Sequence, residues 1–224
     1  MVPWRGRQVV LGIISLVGAF LLLLGIIVPT VGIDNLAVLT LLTSLVLGLA
    51  ILGTVALIGL RRYRVSLLAL GINPPGMPSV KVVLLTVGVL VLSVGATALY
   101  SALVQVSEIE FLAPPKIPPG IVLPGTGAVL TFIALVLWTP FTEEVFFRGF
   151  VFAGLLPRFG ATGAMIVSGL IFSAFHLAPG VLMPIFITGF LLAWLYRRTG
   201  SLWPCIAAHA GQNAIALAIT LGGL

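Results

Sequence analysis

GTGAVLTFIALVLWTPFTEEVFFRGFVFAGLL, residues 125–156, is a run of 32 residues whose only charges are Glu143, Glu144 and Arg148. About 20 apolar residues cross the hydrocarbon of a bilayer, so this stretch is long enough to span one. It shows no period-two alternation, and backbone groups in lipid must be satisfied within their own segment, which selects a helix over a barrel strand. Working outward, similar runs fall at 8–28, 36–60, 80–106, 161–177, 181–196 and 203–221, separated by Pro29 and Asp34, by Asn73-Pro74-Pro75-Gly76, by the proline-rich 114–120 and by Pro179-Gly180. The reading is an all-α polytopic membrane protein of about seven helices. Residues 1–124 form a three-helix amino-terminal region with its loops, and residues 125–224 form a four-helix core within one membrane domain.

Composition excludes a soluble domain. The 224 residues are 60% hydrophobic and 7% charged, where a soluble chain carries about 25% charged residues. A net charge of +6 raises the possibility of nucleic acid, but the basic residues are scattered between apolar runs without a clustered face. The run 8–28 is longer than a secretory signal core and lacks a cleavage site, so it reads as a retained first span. The single Cys205 rules out a disulfide framework and reads as a small buried hydrophobe. No internal repeat is present, which argues against a transporter built on repeats.

The charges also orient the chain. With seven spans, Arg5, Arg7, Arg61, Arg62, Arg64, Lys81, Arg148, Arg158, Arg197 and Arg198 fall on one side, and Lys116, Asp34, Glu108 and Glu110 on the other. The positive-inside rule then predicts a multi-pass cell-membrane protein with a cytoplasmic amino terminus and an external carboxyl terminus. Trp4, Trp194, Tyr196 and Trp203 read as an aromatic belt at the cytoplasmic boundary.

An ionisable side chain in a spanning helix costs about 2.5–3.5 kcal/mol to insert, so each one is a functional candidate. Four stand out: Glu143, Glu144, His176 and His209. Adjacent helical residues point about 100° apart, which separates the two glutamates. Glu144 precedes Arg148 by four residues, the favourable order for an ion pair along one helix. Glu143 has Phe146 and Phe147 at i+3 and i+4 and is left as the free acid, in the apolar surroundings that suit a general base. His176 follows Phe172 at i+4, and Asn213 follows His209 at i+4 among Ala207, Ala208, Ala210 and Gly211, small residues that permit close helix approach. If 125–156 and 161–177 form a hairpin turning at 157–160, Glu143 and His176 reach the same depth, whereas His209 falls nearer the cytoplasmic end.

In this order the residues resemble the type II CAAX prenyl protease family, also called the ABI family of CAAX protease and bacteriocin-processing enzymes, as a prokaryotic member. The likeness rests on Glu-Glu-x-x-x-Arg at Glu143, Glu144 and Arg148, Phe-x-x-x-His at Phe172 and His176, and His-x-x-x-Asn at His209 and Asn213. It implies an intramembrane endopeptidase that cuts near the carboxyl terminus of a membrane-tethered protein, with prenylation as one form of the tether. Glu143 and His176 would activate water, His209 and Asn213 would bind the oxyanion, and Glu144, Arg148 and Phe172 would support them. A glutamate mechanism without a cofactor is favoured. The alternative is zinc held by His176, His209 and Glu143, although His-Glu-x-x-His is absent. Other readings are a non-enzymatic scaffold or bacteriocin-immunity protein, and a proton-coupled transporter using the glutamates as a relay.

Overall fold

The computed structural model describes residues 2–32 and 34–222, which are helical and, among the described residues, free of strands. Among the described residues, six helices are long and apolar enough to cross a membrane: Gly6–Val31, Leu36–Arg61, Ser79–Ser107, Gly127–Ala174, Pro179–Thr199 and Trp203–Gly222. The fourth has 48 residues. At 1.5 Å per residue it would measure about 72 Å if straight, more than twice the hydrocarbon thickness.

It is not straight. Gly160 stands at φ 66° and ψ −178°, a conformation open to glycine and costly for any residue with a Cβ, just after Pro157. The chain folds back there, because the rings of Phe147 and Phe172 lie 4.9 Å apart across the turn. Six hydropathic segments are therefore seven helices, labelled α1 (Gly6–Val31), α2 (Leu36–Arg61), α3 (Ser79–Ser107), α4 (127–159), α5 (161–174), α6 (Pro179–Thr199) and α7 (Trp203–Gly222). The return arm α5 is shorter than expected. It stops at Ala174 because Leu177 adopts a positive φ of 56° and Pro179 opens the next helix. His176 thus lies in the turn after α5 and not on the helix.

Glycine sets how closely these helices approach. At the α5–α6 crossing a Cβ on Gly189 would sit 3.0 Å from Gly169 Cα, so only backbone-to-backbone contact fits, as in small-residue membrane interfaces. Against α1, a Cβ on Gly12 would meet the Phe150 ring at 2.6 Å. Helix α3 is tied to α6 and α7 by a buried polar knot: Ser93 Oγ lies 2.6 Å from Thr188 Oγ1 and donates to Gln212 Oε1 at 2.8 Å. Away from these contacts the apolar residues of α1 and α3, Leu22, Val91 and Leu99 among them, are exposed around the bundle as a lipid-facing surface.

One element of the expected aromatic belt is displaced. Trp4 is fully buried, stacks on Phe150 with centroids 5.5 Å apart and donates its indole N–H to the Phe150 carbonyl at 2.9 Å. It plugs the base of the core because the segment ahead of α1 folds inward against Gly154. Trp203 remains 48% exposed, as an anchor would be. Arg61 and Arg62, Arg158, and Arg197 and Arg198 all end up at one end of the bundle, where α2, the α4–α5 hairpin and α6 meet.

Candidate active site

Helix α4 carries two widened turns, π-helical at Ile133–Trp138 and at Val145–Phe152, on either side of the regular turn Thr139–Glu144. Proline offers no N–H at Pro140, and the widened turn before it redistributes the freed carbonyls without a sharp kink. Such insertions are rare and gather at functional sites because they rotate one stretch of side chains relative to the next. Here they set the facing of Thr139–Glu144. All eight residues of the second widened turn are buried, which locks that facing in place.

The two glutamates have unequal surroundings, as their phase requires. Glu144 is completely buried. Its Oε1 accepts from Arg148 Nη1 at 2.7 Å and from His209 Nδ1 at 2.8 Å. Arg148, 1% exposed, directs its second arm to the Gly189 carbonyl at 3.2 Å and lays its guanidinium over the Phe172 ring, 4.4 Å from the centroid. One carboxylate oxygen therefore joins α4 to α7, and its arginine joins α4 to α5 and α6. The i+4 ion pair expected from spacing is present. The bond from His209 was not anticipated, since 65 residues separate the partners and no local pattern signals them.

That bond decides what His209 presents. With Nδ1–H committed to Glu144, a neutral ring turns Nε2 outward, and Nε2 lies 3.7 Å from Glu143 Oε2. His209 and Glu143 are thus brought together, and the expected depth mismatch disappears. His176 follows the same pattern: its Nδ1 lies 3.1 Å from the Phe172 carbonyl, which leaves Nε2 as the available nitrogen. Phe172 packs between the histidines, with its ring 5.1 Å from that of His176 and 5.7 Å from that of His209. Asn213 turns one amide N–H to the Leu135 carbonyl at 2.9 Å, in the first widened turn of α4, and its second N–H remains available.

Glu143 is 18% exposed and lies between two cavities. One, of about 550 Å³, is walled by Leu16, Val17 and Phe20 of α1 with Phe147 and Phe175, and includes both Glu143 and His176. The other, of about 280 Å³ between α2 and α4, is lined by Thr40, Thr43, Ser44, Thr139 and Thr142 as well as Glu143. Among the described residues, Thr86, Thr97 and Thr199 in other helices bond back to the carbonyl four residues earlier. No such bond engages the side chains of Thr40, Thr43 or Ser44, and the Thr139 hydroxyl is buried without a partner. Cys205 is fully buried with its thiol toward the Leu192 carbonyl, 3.4 Å away, and takes no part in the site.

No three His, Cys, Asp or Glu side chains among the described residues converge on a point that could hold a metal ion. The nearest further carboxylate, Glu144, is already engaged by a guanidinium.

Residues 125–215 match a family model described as Type II CAAX prenyl endopeptidase Rce1-like, a stretch that contains Glu143, Glu144, Arg148, Phe172, His176, His209 and Asn213. Over 82 residues the chain is 32% identical to a Bacillus subtilis (strain 168) protein named "Putative membrane peptidase YdiL". That match covers 37% of this chain and 34% of the relative, so the chain spans about a third of the length of the curated relative it matches. No solved structure matches it.

The Glu144–Arg148 pair yields a stability prediction. Arg148→Ala strands a buried carboxylate and is expected to destabilise the protein by about 3–5 kcal/mol, read as a lowered midpoint of thermal unfolding in detergent. Arg148→Lys keeps the charge but cannot reach Glu144 and Gly189 together, and is expected to recover only part of the loss.

Proposed function

We propose that this chain, whose residues 125–215 match the Type II CAAX prenyl endopeptidase Rce1-like family model, belongs to that family and is an intramembrane endopeptidase acting on a membrane-tethered peptide or protein. The observation that carries the reading is the partly exposed Glu143, free of Arg148, set beside His209 Nε2 and sharing an apolar cavity with His176. The cavity of about 550 Å³ accepts the substrate chain and whatever lipid anchors it. The hydroxyl-lined chamber on the other side of Glu143 holds water.

In this mechanism Glu143, assisted by His176, takes a proton from water as the oxygen attacks the scissile carbonyl. The oxyanion is met by the second N–H of Asn213 and by His209, which donates from Nε2 when that nitrogen is protonated. Glu143 then passes its proton to the leaving amine. A positioned base contributes roughly 10²–10⁴-fold and an oxyanion donor roughly 10²–10³-fold. Glu144 does not touch substrate. It holds His209 by Nδ1, as a carboxylate orients the histidine of a hydrolytic triad. The site faces the cytoplasmic half, given the arginine-rich end. Cleavage lies near the substrate's carboxyl terminus, and prenylation is one form the tether takes.

Glu143→Gln is expected to abolish cleavage of a membrane-tethered peptide while leaving the unfolding midpoint within a degree or two; turnover at the wild-type rate rules the mechanism out. The scaffold or immunity reading would instead be supported if Glu143→Ala, His176→Ala and His209→Ala all preserved the cellular phenotype. Because the donors do not converge on a metal site, exhaustive chelation is expected to leave turnover unchanged. Loss on chelation with recovery on adding zinc would establish the metal alternative. On sidedness, a membrane-impermeant thiol reagent should label Arg62→Cys only from the cytoplasm and Lys116→Cys only from outside, both in a Cys205→Ala background.

A further inference from the structure

A wide cleft lies away from Glu143. It measures about 1080 Å³ and runs between the start of α1 and the closed end of the α4–α5 hairpin. Arg5, Arg7 and Arg158 stand at its mouth, and all three are exposed. None of them forms an ion pair among the described residues, where the only salt bridges involve Arg148 and His209. Asp34, Glu108 and Glu110 lie in loops at the other end of the bundle. Three cations thus converge on one opening with no protein anion to neutralise them. The opening also lies at the amino terminus of the 26-residue α1, where unpaired backbone N–H groups and the helix dipole favour negative charge.

Behind the mouth the walls become apolar. Val10, Leu11, Leu155 and Val167 line the cleft, and its inner boundary is formed by Ile13 and Ile171. Those two residues also line the cavity that contains Glu143 and His176. A ligand that fits has an anionic head, an apolar body of chain length and a position at the arginine-rich membrane interface. A soluble anion would leave the apolar walls uncovered, and a zwitterionic lipid would leave the arginines uncompensated.

We propose that this cleft is a binding site for one anionic phospholipid, with its phosphate among Arg5, Arg7 and Arg158 and an acyl chain along Val10 and Val167 as far as Ile13 and Ile171. The bound chain covers the α1 side of the cavity around Glu143. The site does not depend on the peptidase reading, and binding is measured without turnover.

The test is native mass spectrometry of the full chain in detergent, titrated with phosphatidylglycerol or with phosphatidylcholine of the same acyl chains. One phosphatidylglycerol is expected to bind at least about ten-fold more tightly than phosphatidylcholine. The variant Arg5→Gln/Arg7→Gln/Arg158→Gln is expected to weaken it by about a hundred-fold, the cumulative effect of three arginines at an anionic headgroup. Removing three charges elsewhere at the same end, Arg61→Gln/Arg62→Gln/Arg198→Gln, is expected to change it less than about three-fold. Equal binding of the two lipids, or equal loss in the two triple variants, overturns the proposal in favour of diffuse charge attraction. Displacement by inorganic phosphate alone overturns it in favour of a free-anion site. Val10→Trp/Val167→Trp fills the apolar part without changing charge and decides the matter should the cleft arginine variant aggregate. Lipid loss in it supports the site, and unchanged lipid binding overturns it.

Discussion

The rest of the site depends on a single buried carboxylate oxygen, Glu144 Oε1, which accepts from both Arg148 and His209. A fully desolvated carboxylate is tolerable only when paired and hydrogen-bonded, and here all the pairing falls on Oε1, since Oε2 is buried without a partner. Arg148 reaches on to Gly189 of α6 and to the ring of Phe172 on α5, and His209 brings in α7. The electrostatic requirement of one side chain therefore acts as a geometric restraint on four helices. Replacing it with an apolar residue would remove a desolvation penalty but also the hydrogen bond that holds the Nδ1 side of the His209 ring.

Backbone geometry makes that arrangement possible. Two widened turns in α4 bracket the Glu143–Glu144 step, so its facing is set independently of the helix on either side. Glycines at the α5–α6 crossing bring the helix backbones within contact distance, and this lets an arginine side chain on α4 reach a carbonyl on α6. The hairpin reversal at Gly160 brings the aromatic residues of α5 back against those of α4. Phe147, Phe172 and Phe175 then form an aromatic cluster that packs against both histidines through Phe172. Glu143 borders two cavities, one between α2 and α4 that includes the hydroxyls of Thr40, Thr43, Ser44, Thr139 and Thr142 among apolar residues, and one that is largely apolar.

Much of this was readable from local pattern. An i, i+4 ion pair needs only helical phase, so Glu144–Arg148 followed from spacing, and so did the release of Glu143. The hairpin followed from two apolar runs, 125–156 and 161–177, separated by Pro157 and Gly160. The Glu144–His209 bond, the contact of Arg148 with Gly189 and the inward fold of Trp4 had no such signal. Each joins residues far apart in the chain, and a tryptophan near an arginine pair looks the same whether it anchors in lipid or plugs a core. His176 was assigned to a helix that ends two residues earlier, because the left-handed Leu177 and the following proline stop it sooner than hydropathy suggests.

The sequence by itself determined the class of the protein, its spans, the arginine-rich end and the ionisable residues placed within the spans, because insertion energy and helical phase are local and additive. Only the tertiary structure decided which nitrogen of His209 is free, that His209 and Glu143 share a site despite their unequal distance from the helix ends, and that two cavities meet at Glu143. Those are consequences of how wide a turn is and how closely two backbones approach, and both depend on the partner helix as much as on the chain that forms them.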